Sequence, residues 1–345
     1  MVTMEGKRNS ISKNYLNNKQ RPNWSDLPYD LLERIAVRLS LRELLSFRSA
    51  CKQWRLASSK ASGEIHASDE TNSSEVVVWL LLYGNDPNCR LYDISCDKMY
   101  TIDFPELYGA NCIASNGGWL LLYRNGGSMF FFCPFSRAKI DLPKFSHDDE
   151  EELMLMSHII ATFSSAPTYP DCIVCVVGTK IISTHHQSSL ELNVLRRGAS
   201  EWVKYKYDKS ENLKNVFTYA VLCDDEILYL LDSKLLVLIF SLQDEKWLVR
   251  FIIPDDVIPD PSRVVGTIPF QSKREECTDQ LKQKLGLKES DSLTTCGTTI
   301  QGSDSLTCIH NQDIQGDDED EFSHKKGVWI QPRFFQLPAN QTWSL

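Results

Sequence analysis

The sequence contains no run of about 18 apolar residues, so no membrane-spanning helix is expected. Its first residues lack the apolar core of a signal peptide. G-x-S-x-G, a P-loop, the kinase motif set and H-E-x-x-H are all missing, which leaves no positive case for an enzyme or for a bound cofactor. Positive charge is in deficit. Lys and Arg number 37 against 46 Asp and Glu, and the net charge of −9 argues against a general nucleic-acid or anionic-membrane binder. The 11 cysteines are odd in number and have no framework spacing, which suits free thiols in a reducing compartment, here the nucleus and/or the cytoplasm.

The chain does have 345 residues, 42% of them hydrophobic, enough for one to three domains with a sizeable core. The stretch 24–57 is helical in pattern. Pro28 suits the first position of a helix, with Asp26 upstream offering a carboxylate to the open N–H groups. Leu31, Leu32, Ile35, Ala36 and Leu39 make one apolar stripe, with Arg34 and Arg38 on the other side. Ser40 and Glu43 fit a capping box for a second helix carrying Leu44, Leu45 and Phe47. Ala50, Cys51, Trp54 and Ala57 mark a third. Three short helices in about 35 residues bury too little surface to stand alone. With no cysteine pair to staple them, a partner is the economical inference.

Leu27-Pro28-x-x-Leu31-Leu32-x-x-Ile35-x-x-Arg38-Leu39, the leucine-rich second helix and Arg48-x-x-Cys51-Lys52-x-Trp54-Arg55 together resemble an F-box. The resemblance implies docking on a Skp-type adaptor, and through it on the cullin and RING subunits of a ubiquitin ligase. It implies adaptor contacts from Leu27, Pro28, Leu31, Leu32, Ile35, Leu39, Leu44, Leu45 and Trp54. The competing reading is a helix bundle that only packs on the domain after it.

Residues 1–22 read as a disordered tail, 23–58 as the F-box and 59–75 as a Ser-, Asp- and Glu-rich linker. From Val76 the pattern changes to short apolar runs between turn residues. Trp79-Leu80-Leu81-Leu82-Tyr83 recurs 40 residues later as Trp119-Leu120-Leu121-Leu122-Tyr123. Ile102-Asp103-Phe104-Pro105 recurs 38 residues later as Ile140-Asp141-Leu142-Pro143. Looser units follow through about 251, with Trp202 and Trp247 at equivalent late strands. A period of about 40–45 residues with four strands per unit is the signature of a β-propeller blade. One such sheet has two apolar faces and needs a neighbour on each.

The order Gly118-Trp119-Leu120-Leu121, Phe132-Cys133-Pro134-Phe135, Asp171-Cys172-Ile173-Val174 and Leu228-Tyr229-Leu230-Leu231-Asp232 resembles plant F-box proteins with a kelch-like, KIB-type propeller. The propeller-like domain is assigned to 76–270 plus 326–336. Its four clear units and a fifth partial one fall short of the roughly six or seven blades of kelch-like rings. Residues 271–325 are assigned as disorder or a loop insertion, with one short helix near Leu281, Leu285 and Leu287. Gly327 to Phe335 reads as a late strand returning to pair with an early one. The fold class expected is α+β multidomain: a small N-terminal three-helix F-box, then an all-β propeller-like domain.

Cys172-x-x-Cys175 lies in an alternating strand, where residues three apart point to opposite faces, so buried core thiols are favoured over a metal or redox pair. His185-His186 and the set Cys296, Cys308 and His310 have no regular ligand spacing, and no metal is expected. Trp79, Trp119, Trp202 and Trp247 read as blade packing. The function these readings support is the substrate-recognition subunit of an SCF-type E3 ubiquitin ligase, its propeller binding a target protein. The alternatives are a non-degradative scaffold, or a small-molecule propeller with convergent polar groups at its axis.

Overall fold

A computed structural model of the protein describes residues 27–39, 41–58, 78–84, 88–94, 97–124, 126–145, 156–182, 187–207, 217–223, 226–232, 236–251, 285, 287, 291–301, 306–309, 312–314, 324–335, 337 and 341–344. The tail 1–22, the linker 59–75 and the positions Asp26, Ser40, His185 and His186 lie outside the described residues. The chain divides into two units, Met1–Ser68 and Asp69–Leu345.

The first unit has three helices, α1 (Tyr29–Ala36), α2 (Leu41–Ala50) and α3 (Lys52–Ala57). Pro28 is the cap rather than the first helical residue. Its ψ of 141° is extended, and its carbonyl accepts the Leu31 and Leu32 N–H groups at 3.0 and 3.1 Å. Cys51 is also extended, so it separates α2 from α3 instead of belonging to the third helix. Leu32, Ala36, Leu44, Phe47 and Ala57 form the core, with Leu27, Val37, Leu39 and Trp54 packed around it. Phe47 stacks on Trp54 at 4.5 Å.

The second unit is built of antiparallel sheets. β1 (Trp79–Tyr83), β2 (Asn88–Asp93) and β3 (Lys98–Asp103) make three strands of the first. The second holds β4 (Ala110–Asn116), β5 (Trp119–Arg124), β6 (Ser128–Cys133) and β7 (Ala138–Asp141). The third holds β8 (Met156–Phe163), β9 (Ile173–Ile182), β10 (Gln187–Arg196) and β11 (Val203–Tyr207). The fourth holds β12 (Phe217–Leu222), β13 (Ile227–Asp232), β14 (Leu236–Ser241) and β15 (Lys246–Phe251). The third and fourth sheets are meanders of four consecutive strands, and β4 to β7 make the same meander within a six-stranded second sheet.

The repeat seen in the sequence is repeated geometry. Trp79 and Trp119 each open the strand after an innermost one, and each points toward the following sheet. The turns that end in Asp97, Arg137 and Glu245 place those residues at φ of 53°, 58° and 53°, each just before a sheet's last strand. Alternation along the strands fills both faces. Trp119, Leu121 and Tyr123 join the core between the second and third sheets, while Leu120 and Leu122 join the core between the first and second. A third core, with Leu192, Leu230 and Phe240, lies between the third and fourth. Central strands such as β1, β5 and β6 are thus apolar on both sides, which is why they read as continuous hydrophobic runs.

Two innermost strands, β4 and β8, carry no unit mark in the sequence. β4 is Ala-Asn-Cys-Ile-Ala-Ser-Asn, whose small and polar residues hide its alternation. The first sheet takes its fourth strand from far along the chain. β20 (His324–Ile330) pairs antiparallel with β1, Trp79 opposite Ile330 and Tyr83 opposite Lys326.

The stretch 271–325 corrects the assignment to disorder or loop. It contains β16 (Ser292–Cys296), β17 (Thr298–Gln301), β18 (Leu306–Ile309) and β19 (Gln312–Ile314). β16 runs parallel to β20, and β17 meets β4 at Thr299 and Asn116, so both extend sheets on their innermost side. Ser/Thr-rich composition suggested a loop, but Thr is β-branched and favours a pleated strand. Leu285 and Leu287 are not helical. With Leu293 they cover Leu80, Leu82, Tyr92 and Trp329 on the outer face of the first sheet.

A closing segment continues past β20. Phe335 lies on Trp119 at 5.1 Å, and Trp343, fully buried, stacks on Phe131 at 5.8 Å. Arg197 sits over the Trp343 ring and donates to the Thr342 carbonyl at 2.7 Å. Gly118, at φ +85°, lets this segment pass. An added Cβ would fall 2.8 Å from Arg333 Cβ and 3.0 Å from the Gln331 carbonyl.

Candidate functional site

The helical unit has more apolar surface than its own core uses. Leu32, Ala36, Leu44 and Ala57 are fully buried, and their positions on three helices converge on one point. Two cross-links hold that arrangement at the backbone. The Gln53 amide donates to the Leu27 carbonyl at 3.3 Å, and the Tyr29 hydroxyl donates to the Leu56 carbonyl at 3.0 Å. α2 and α3 are joined by Arg48, which donates to the Ser58 hydroxyl at 2.8 Å, while Arg55 Nε donates to the Arg48 carbonyl at 3.2 Å. Burial, and secondarily the charge of Arg55, hold the Arg48 pKa below that of a free guanidinium.

On the outside, α1 presents Leu31 at 46% exposure and Ile35 at 42%, four residues apart and so on one face. Pro28 extends the row by three residues and is also exposed. Tyr29 and Leu56 add exposed apolar surface where α1 meets α3. Of the nine large hydrophobic side chains exposed among the described residues, four belong to this short unit. Isolated exposed leucines are ordinary, but a cluster of this density marks an interaction surface.

The sequence-derived docking set therefore divides. Pro28, Leu31 and Ile35 are exposed; Leu27, Leu39, Leu45 and Trp54 are half-buried. Leu32 and Leu44 are fully buried core residues, which corrects their assignment to a docking role: no surface of theirs is left to meet a partner. Tyr29 and Leu56, exposed beside that set, were not in it. Leu56 falls off the third helix's expected apolar positions, and that mismatch was the available signal.

The alternative reading places a small-molecule site at the axis of the propeller-like unit. The innermost strands β4, β8 and β12, with Cys296 and Gly297, enclose a cavity of about 20 Å³. That volume admits about one water, far below the few hundred Å³ of a small-molecule site. β16 and β17 run beside the innermost strands, where Thr298 donates to the Ser115 carbonyl at 3.1 Å and Ser115 to the Trp329 carbonyl at 2.8 Å. Cys172 and Cys175 are both buried but in different cores, one on each face of the third sheet. Burial pushes the Cys172 thiol up to about 12 and that of Cys175 higher still. Among the described residues, no three His, Cys, Asp or Glu side chains are grouped as metal ligands.

Comparison with known proteins fits this architecture. Residues 91–313 match the family model described as the KIB1-4 beta-propeller, and residues 24–62 match the F-box domain. F-box protein At3g56470 of Arabidopsis thaliana is 31% identical over 154 residues, 44% of this chain and 37% of that protein. F-box/kelch-repeat protein At1g57790 of Arabidopsis thaliana is 25% identical over 242 residues, 69% of this chain and 62% of that protein. The chain thus spans less than two thirds of the length of either relative. Among solved structures, U3-55K overlaps 52% of this chain and 53% of its own at 10% identity with a TM-score of 0.31, too slight a likeness to argue from.

Proposed function

Since the chain belongs to the KIB1-4 β-propeller family and carries an F-box ahead of the propeller, we propose that it is a substrate-recognition subunit of an SCF-type E3 ubiquitin ligase. The exposed row Pro28, Leu31 and Ile35, with Tyr29 and Leu56 beside it, docks a Skp-type adaptor that links the chain to cullin and RING subunits. The propeller holds a target protein. The subunit makes and breaks no bonds itself; it raises the effective concentration of the target at the ubiquitin-charged enzyme. It acts in the nucleus and/or the cytoplasm, where free thiols persist.

One observation carries the proposal: the helices fill their core with one set of side chains and leave a second apolar set uncovered. Leucine and isoleucine side chains each gain about 1.5–3 kcal/mol on full burial, so the uncovered set leaves several kcal/mol to a partner. The test is retention of a purified Skp-type adaptor by the full chain. Wild type should retain it, and Leu31→Asp with Ile35→Asp should lose it while the sheets keep their circular dichroism. Equal retention by both would end the proposal.

A further inference from the structure

The core between the second and third sheets contains a side chain that neither sheet supplies. Trp343, from the closing segment, is fully buried there, while Thr342 and Ser344 on either side of it are exposed. Residues 341–344 belong to no helix or strand, so the contacts of one side chain and its immediate neighbours hold them. The Trp343 ring stacks on Phe131 at 5.8 Å. Arg197, from the turn between β10 and β11, places its guanidinium over the same ring at 5.0 Å and donates from Nη2 to the Thr342 carbonyl at 2.7 Å. A buried tryptophan between exposed neighbours is how a short linear segment anchors in a partner's pocket.

The slot exists because the turns of the third sheet are small. In the core between the first and second sheets, Trp79 meets Phe135, from the turn between β6 and β7, at 5.5 Å. The matching turn of the third sheet, between β10 and β11, offers Ala199 instead, and the connection from β8 to β9 offers Ala166 and Cys172. Three short side chains leave room for an indole. Trp119, the counterpart of Trp79, is met by Phe335 of the closing segment rather than by a residue of the sheets. The resident segment also fits incompletely. Among the described residues, Trp343 Nε1 and Arg197 Nη1 are buried without a hydrogen-bond partner, and an unpaired buried donor weakens the hold of whatever leaves it so.

We propose that this slot is a peptide-docking site, filled in cis by Trp343 and taken in trans by an extended segment of a target protein that carries a tryptophan between small polar residues. That the partner is a target rests on the function proposed above; the exchange itself needs no adaptor. Phe131 supplies the aromatic floor. Arg197 sets the direction of the segment, because it covers the ring and holds the carbonyl of the residue before it. The chain's own segment is tethered, so it competes at an effective concentration of about a millimolar. A target displaces it by adding contacts beyond the tryptophan, so the resident segment sets a threshold that weak tryptophan-bearing segments do not pass.

The test uses the full chain, without adaptor, and a dye-labelled synthetic peptide with the sequence of residues 338–345, read by fluorescence anisotropy. Trp343→Ala empties the slot, so that chain should bind the peptide about tenfold more tightly than wild type, in which the tethered segment competes. The same peptide with its tryptophan replaced by alanine should not bind. Adding Arg197→Ala to the Trp343→Ala chain should weaken binding several-fold. Equal affinity of the wild-type and Trp343→Ala chains, or equal binding of the peptide without its tryptophan, would overturn the proposal. Hydroxyl-radical footprinting of the wild type decides the matter even if Trp343→Ala fails to fold. On heating, Trp343 should become labelled well below the temperature at which Trp119, in the same core, is labelled; labelling of the two together would overturn the exchange. Peptide binding is read without the adaptor, so its loss and the loss of adaptor retention are separate results.

Discussion

Leu31 and Leu32 are neighbours in the chain and opposites in role, which makes them the sharpest test of the helical unit. Leu32 is fully buried among four other core side chains. Truncating it to alanine removes the transfer energy of the lost methyl and methylene groups and opens a cavity, about 2–5 kcal/mol for a buried leucine. A unit of about 35 residues has little stability to lose. Leu32→Ala should therefore unfold α1–α3, seen as loss of amide hydrogen-exchange protection there, while the sheets keep theirs. Leu31 is 46% exposed, so the same truncation should change stability by less than about 0.5 kcal/mol. Roughly half of its side chain remains for an adaptor to bury, about 1 kcal/mol, or about a fivefold rise in adaptor Kd. Exchange mass spectrometry and calorimetric titration on the full chain separate the two effects. Intact protection of α1–α3 in Leu32→Ala, or unfolding in Leu31→Ala, would refute the division between core and docking face.

Three other perturbations probe the larger unit. Gly118→Ala puts a Cβ 2.8 Å from Arg333 Cβ at a φ of +85°, so it should cost more than the about 1–2 kcal/mol of left-handed backbone and expose 331–335 to exchange; Gly117→Ala, at φ +57° with nothing within 4 Å, should cost the backbone part alone. The Arg196 guanidinium, at 2.7 and 2.9 Å, holds the Glu226 carboxyl below the ordinary carboxylate range. The pair's contribution is present at neutral pH and lost as acid protonates Glu226 through that lowered pKa. It is partly exposed, so Glu226→Gln should remove no more than about 1 kcal/mol at pH 7 in urea titrations, and little once the wild-type carboxyl is protonated in acid. Iodoacetamide at pH 8 should leave Cys172 and Cys175 unmodified in the folded chain and label both after denaturation, read by peptide mass, because burial keeps both thiols protonated.

What was legible in the sequence followed from local periodicity. Trp79 and Trp119, 40 residues apart, announced the repeat because each opens a strand that is apolar on both faces. β12 to β15 were each visible as an apolar run. β4 and β8 were not, since the small and polar residues of β4 and the Met-Ser-His opening of β8 interrupt the apolar run. The threonines of β16 and β17 read as loop because their strands are set by partners, β20 and β4, that lie elsewhere in the chain. In the helical unit the apolar stripe of α1 was plain. Its division was not, because Leu31 and Leu32 have the same chemistry and only the packing of α2 and α3 says which is inside.

By itself, the sequence determined that this chain has a small helical unit too short of core to be self-sufficient, followed by repeated sheets that stack on one another. Helical and strand periods and a 40-residue spacing are written in consecutive residues, so they survive without coordinates. The tertiary structure alone decided that β20 completes the first sheet, that β16 and β17 line the innermost strands, and that Trp343 seals a core. Each of these joins residues distant along the chain, and such contacts depend on how whole sheets stack, a property no local stretch of residues carries.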